Sequence, residues 1–215
     1  MEDIPEEVPE KWYKGPIKYI LAVFLILLVV MWIVPEFAIK ADPEPSMIPK
    51  PGDVFEFDGA LSNKSYSLKE DYHELINAGD PVVKRTANKI ASMSCESGEQ
   101  VCQAKAMYYF VKRNFDYISD PIDLDYVERF EDFIISGGGD CESGTIVLAN
   151  LMEAIGVDSE FVFTSNHAYL RIWLPEASNR YKQDDWIYLD WTCKGCNFGE
   201  TSYKYADADK KFLDV

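Results

Sequence analysis

Cys141 is the residue of this chain best placed for covalent chemistry. It follows Gly137-Gly138-Gly139-Asp140 and opens an apolar-periodic run, read as an amphipathic helix, that closes at Gly156. A cysteine in the first turn of a helix lies beside free backbone N–H groups and the positive end of the helix dipole, which stabilise a thiolate and lower its pKa. The same N–H groups can form an oxyanion hole, and three glycines let the backbone turn tightly without side chains obstructing a substrate. Alone this pattern is weak, because cysteine is often a small buried hydrophobe.

The sequence holds two histidines. His73 falls in a charged helical stretch, where a solvated surface role is expected. His167 begins the β-rich run Asn166-His-Ala-Tyr-Leu-Arg-Ile-Trp, from which a sheet could present its imidazole to a thiol. Asp190 ends the apolar run Trp186-Ile-Tyr-Leu-Asp, and a carboxylate there is costly to bury without a partner. An imidazole N–H would satisfy it. Asp190 would then fix the tautomer and orientation of His167, which in turn would form an ion pair with the Cys141 thiolate. Cys141, His167 and Asp190 are therefore the candidate catalytic residues, for thiol acyl transfer with no cofactor. Asp140 and Glu142 beside the cysteine would oppose thiolate formation and receive no catalytic role.

These three residues need helices and strands to hold them. Helices are predicted over Ser67–Ala78, over Pro81–Met93 with Asp80 as N-cap and Pro81 at the first helical position, over Val101–Phe115 and over Cys141–Ile155. The aromatic face of Val101–Phe115 reads as core. Strands are predicted over Glu160–Thr164, His167–Leu174 and Trp186–Asp190. Helices followed by an antiparallel sheet make an α+β domain.

Ahead of it, Tyr19 to Val34 is wholly apolar or aromatic, the lower end of what spans a bilayer once Ile17 and Lys18 are added. Pro16 suits its first turn and Pro35 ends the run. Lys11, Lys14 and Lys18 flank the front, against Lys40 and Lys50 behind, which places the N-terminus in the cytoplasm and the rest outside. A cleaved signal is the rival, but Pro35-Glu36-Phe37 is a poor cleavage site. The expected organisation is a cytoplasmic tail over 1–16, a transmembrane helix over 17–35, a proline-rich stalk over 36–65 and the domain over 66–215. Asn63 begins a glycosylation sequon. The net charge of -16 repels phosphate backbones and argues against nucleic acid as a partner.

Taken together, Gly-Gly-Gly-Asp-Cys141-Glu at a helix start, Glu-Ala-Ile-Gly156-Val at its end, Asn-His167-Ala-Tyr and Trp186-Ile-Tyr-Leu-Asp190 resemble the transglutaminase-like superfamily. The resemblance covers Val101 to Phe198 and is strongest to archaeal, membrane-anchored members. It implies a papain-like α+β core with helices packed on an antiparallel sheet, Cys141 as nucleophile, His167 as base and then acid, and Asp190 as the orienting carboxylate. The implied substrate is a protein or peptide, whose thioester passes to an amine or to water; cross-linking, deamidation and proteolysis all stay open. So does a catalytically inactive binding or scaffold domain of the same fold. Unlike the calcium-dependent animal enzymes, this sequence is expected to carry no flanking β-domains, and with no calcium-loop pattern of spaced Asp, Asn and Gly, calcium activation is not expected. Trp191 stands where many relatives carry proline and is expected to alter the strand exit rather than the chemistry.

The other four cysteines form two local pairs, Cys95 with Cys102 and Cys193 with Cys196. Two disulfides in an oxidising compartment would leave Cys141 unpaired. The alternative is a zinc site built from Cys95, Cys102, Cys193 and Cys196, or a redox dithiol at Cys193 and Cys196.

Overall fold

A computed structural model describes residues 15–55, 72–96, 98–121 and 127–215. It divides into two compact units, Met1–Ala41 and Asp42–Val215. Most of the expected tail, the Asn63 sequon and the front of the helix expected over Ser67–Ala78 lie outside the described residues.

The first unit carries one helix, α1 (Ile17–Ala41). The carbonyl of Pro16 accepts from the N–H groups of Tyr19 and Ile20, so the proline sits where its missing N–H costs nothing. Ile17–Val34 has a mean hydropathy of 2.8 and is long and apolar enough to cross a membrane. The helix does not stop at Pro35. A proline removes one helical hydrogen bond without forbidding continuation, and the helix runs on to Ala41.

In the second unit the proline-rich segment assigned to a stalk lies against the domain from Asp42 to Phe55. Pro43 and Pro49 are buried, and the N–H and hydroxyl of Ser46 both donate to the carbonyl of Ser94. Asp42 and Glu44 meet the ammonium of Lys105 at 2.6 and 2.7 Å. Lys105 is fully buried, and an unpaired ammonium there would be prohibitively costly. The strap ends in a short turn of helix, α2 (Pro51–Val54), which buries Val54.

The short α3 (Tyr72–Leu75) follows, then α4 (Pro81–Ser94), whose cap Asp80 accepts from the N–H groups of Val82 and Val83 as expected. A disulfide from Cys95 to Cys102 joins the end of α4 to the first turn of α5 (Gln100–Asn114). Beyond it, β1 (Asp116–Tyr117) pairs in parallel with β2 (Gly138–Gly139), on either side of α6 (Phe130–Ser136) in the chain. Next comes α7 (Cys141–Ala154), where Ser143 through Met152 are all buried. A helix buried all round is a central helix rather than an amphipathic surface one; α4, α5, α6 and strands of the sheet all pack on it.

The sheet contains β3 (Ser159–Phe163), β4 (Ala168–Trp173), β5 (Lys182–Gln183), β6 (Trp186–Leu189) and β7 (Lys211–Asp214), antiparallel in the order β5-β6-β4-β3-β7. Its inner face contributes Phe161, Leu170, Ile172, Ile187 and Leu189 to the core. The fold is the expected α+β arrangement of helices on an antiparallel sheet. The second disulfide, Cys193 to Cys196, closes the turn after β6. Both pairs are local, which takes up the four thiolates that a shared zinc site would need, and Cys141 is the one free cysteine.

Candidate active site

Cys141 is the first residue of α7. Asp140, at the N-cap, accepts from the N–H of Ser143 at 2.8 Å, and Glu142 accepts from the hydroxyl of Tyr72 at 2.7 Å. Both neighbouring carboxylates thus have structural work.

The carbonyl of Cys141 accepts from the Thr145 hydroxyl at 2.6 Å and from the indole N–H of Trp191 at 3.3 Å. Trp191 is fully buried, edge-on to Phe133 at 5.6 Å, and lies so close over Gly144 that a Cβ there would fall 2.1 Å from the indole. This residue therefore braces the turn that carries the thiol, a role beyond the altered strand exit expected of it.

Two of the glycines before Cys141, Gly138 and Gly139, also serve packing. A Cβ on Gly138 would fall 2.0 Å from the carbonyl oxygen of Asp116, so only glycine permits the β1–β2 approach. One consequence is the placement of Tyr117, opposite Gly139 in the β1–β2 register and 6.4 Å from Trp191 by ring centroid. Burial raises the Tyr117 phenol, with the charges of Cys141 and Asp140 adding to it.

His167 lies immediately before β4 and Asp190 immediately after β6. Antiparallel pairing of these strands, with Leu170 opposite Leu189, brings the two together. Nε2 of His167 is 3.2 Å from Oδ2 of Asp190. The other oxygen, Oδ1, accepts from the N–H and hydroxyl of Thr192 at 3.1 and 2.7 Å. His167 is 8% exposed and Asp190 1%. Burial works to raise the Asp190 carboxyl, but the His167 and Thr192 hydrogen bonds outweigh it and hold it below the usual carboxylate range. A carboxylate on Nε2 fixes the proton there, leaving Nδ1 as the ring's acceptor.

The thiol hydrogen-bonds with the backbone of Ala168, the residue after His167, and the Thr145 hydroxyl reaches the Ala168 carbonyl at 3.4 Å. The first turn of α7 therefore abuts the start of β4. The resting thiol is not the preformed thiolate that its helix position suggests. Burial pushes it up to about 11 against the Ala168 hydrogen bond, and the charges of Asp140 and Glu142 raise it further. His73 sits exposed on α3. Among the described residues no group of three or more His, Cys, Asp or Glu could hold a metal ion.

Sequence reasoning missed four contributors: Thr192, Trp191 as a brace, Glu128 and Tyr205. The carboxyl of Glu128 lies against Gly139 and is buried; that burial pushes it up to about 7, against a hydrogen bond from Ser143. Tyr205 stacks on the His167 ring at 4.3 Å. Only the Asx-like reach of Thr192 over two residues has a local signal; the others meet the site through tertiary packing.

A central helix opening on a free cysteine, packed on an antiparallel sheet that carries a buried His–Asp pair, has the papain-like architecture. The chain belongs to the transglutaminase-like superfamily, whose sequence profile matches residues 84–191. Among solved structures it is similar to Legionella pneumophila LapG, at 21% identity and a TM-score of 0.42 over 64% of this chain and 81% of that one. Calcium-bound LapG gives 21% identity and 0.40 over the same shares. A protein of Cytophaga hutchinsonii put forward as a cysteine protease gives 18% identity and 0.37 over 62% of this chain and 46% of that one. No curated protein matches the chain.

Proposed function

We propose that the chain is a cysteine acyl-transfer enzyme acting on a protein or peptide. Cys141 is its nucleophile, His167 its base and then acid, and Asp190 the carboxylate that orients the imidazole. The observation that carries this reading is the buried His167–Asp190 contact of 3.2 Å beside the start of α7, where the chain's one free thiol sits.

The chemistry follows from the protonation states. A thiol raised to about 11 is neutral at rest, so its proton passes to Nδ1 of His167 as the sulfur attacks a carboxamide or peptide carbonyl. Asp190, ionised and bonded to Nε2, stabilises the resulting imidazolium. As one of the first N–H groups of α7, the backbone N–H of Cys141 would serve as a donor to the developing oxyanion. Collapse expels ammonia or an amine, which takes the proton back from His167. The thioester then passes to water, or to an amine, with His167 again as base.

In this reading α1 is an uncleaved anchor with the N-terminus in the cytoplasm and the domain outside. The lysines before the span and the two local disulfides, which persist in oxidising compartments, support that direction.

Incubating the full-length protein in detergent micelles with glutamine-containing peptides, with and without a primary amine, tests the reaction. Ammonia release, amine incorporation or cleavage is expected from the wild type and is absent from Cys141→Ala. Equal product from both proteins sinks the mechanism.

A further inference from the structure

The aromatic ring that covers His167 comes from outside the residues matched by the family profile, which ends at 191. Tyr205 closes a 3-10 turn, Tyr203–Tyr205, between β6 and β7, its N–H bonded to the carbonyl of Ser202 at 3.0 Å. Its ring lies 4.3 Å from the imidazole, with only 20° between the planes. Stacking this close and this parallel leaves the face of His167 covered.

Around His167, Asp190 and Thr192 come from beyond β6, and the first turn of α7, with Cys141 and Glu142 behind the cap Asp140, meets Ala168, the residue after the imidazole. Tyr169, on β4, lies 5.8 Å from the imidazole by ring centroid. Asp190 grips one edge of the imidazole through Nε2. A hydrogen bond at one edge fixes a nitrogen but leaves the ring free to pivot about it. A ring stacked on the face removes that freedom. It also presents an electron-rich π surface to a base that becomes cationic during the reaction.

We propose that Tyr205 is a positioning residue for His167: its ring holds the imidazole in register with Asp190 and stabilises the imidazolium formed when Cys141 gives up its proton. This rests on the triad reading above and extends it to a residue in the C-terminal segment. The phenol itself stays neutral. Burial and then the charges of Asp190 and Cys141 raise it. The ring, not the hydroxyl, therefore does the work.

The test is the rate at which iodoacetamide alkylates Cys141 in the full-length protein in micelles, followed from neutral to strongly alkaline pH. At neutral pH the rate reports the thiolate formed by proton transfer to His167; at alkaline pH the thiol ionises without help. The ratio of the two rates isolates the imidazolium. Tyr205→Phe is expected to keep the wild-type ratio, and Tyr205→Leu to lower it about tenfold, the cost of losing a desolvated cation–π contact. Phenylalanines of increasing fluorination at position 205 keep the shape and drain the ring face, and should lower the ratio stepwise. A flat fluorination series, or a fall in Tyr205→Phe as large as in Tyr205→Leu, overturns the proposal. His167→Ala separates the two levels. If it alkylates at the wild-type neutral rate, the triad reading fails; if it is slow while the position 205 series is flat, only the role of Tyr205 fails.

Discussion

The two halves of the candidate site are held by different physics. On the thiol side, Cys141 is placed by shape: backbone against backbone at Gly138, indole against backbone at Gly144, and a central helix buried along most of its length. On the imidazole side, His167 is placed by directed contacts: a carboxylate at its edge, Thr192 behind that carboxylate and Tyr205 on its face. Close packing is intolerant of added volume, whereas a hydrogen-bonded group can be silenced by an isosteric change that leaves the fold intact. Substitutions on the thiol side should therefore cost stability first, and those on the imidazole side rate first.

The sharpest way to break this contrast is Asp190→Asn. It keeps volume, but with the Thr192 N–H and hydroxyl claiming the amide oxygen its NH2 faces Nε2 and cannot accept that proton, and a fall in kcat of about ten-thousandfold with little change in melting temperature is expected. A large loss of stability instead would move Asp190 into the structural half.

Gly144→Ala is the counterpart. Its Cβ has no room beside Trp191, and a loss of about 3 kcal/mol in denaturant unfolding is expected. A variant as stable as wild type would show that the indole yields easily.

Glu128 gives the thiol side a pH dependence. Its carboxyl titrates near 7 in the folded chain, against an ordinary value of 4.5, so folding favours the protonated form. Its contribution is complete below the unfolded value and is lost as pH rises through about 7. Glu128→Gln should accordingly stabilise the protein at alkaline pH by on the order of 2 kcal/mol, and leave stability unchanged under acid conditions. Melting curves at several pH values check this; equal stabilisation at all of them counts against a buried, neutral carboxyl.

The smallest effect expected is from Thr192→Val, which removes one hydrogen bond to Asp190 and should lower kcat by about tenfold or less, close to 1 kcal/mol. No change would leave the Thr192 N–H sufficient to orient the carboxylate.

Much of both sides is written in local sequence. Asp140-Cys141 at a helix start, Gly156 at its end and the Asp80 cap of α4 have capping signals, and the runs that lead from His167 and to Asp190 have the β-rich composition of strands. The short α6 was hidden because seven residues carry little periodicity, and the glycines that follow it read as an interruption when Gly137, left-handed at φ 81°, is its cap. At the C-terminus β7 is a strand only because β3 offers an edge. The strap over Asp42–Phe55 has the composition of free extended chain, and the residues that hold it are distant in sequence: Lys105 lies 63 residues from Asp42 and Ser94 lies 48 from Ser46. Nothing near Tyr205 in the sequence points to His167. Local signals announce elements; contacts between distant residues decide what those elements hold.

The pairing of the four other cysteines has a chemical corollary for Cys141. A cysteine oxidised to the sulfenic acid is usually rescued by a neighbouring thiol, which traps it as a disulfide before further oxygen is added. In this chain each of the four other cysteines is already bonded to its neighbour, so no resolving thiol remains. Peroxide would carry Cys141 through to the sulfinic acid, an irreversible end, and the neutral state of the buried thiol is then also its protection, since the thiolate is the form that oxidants attack.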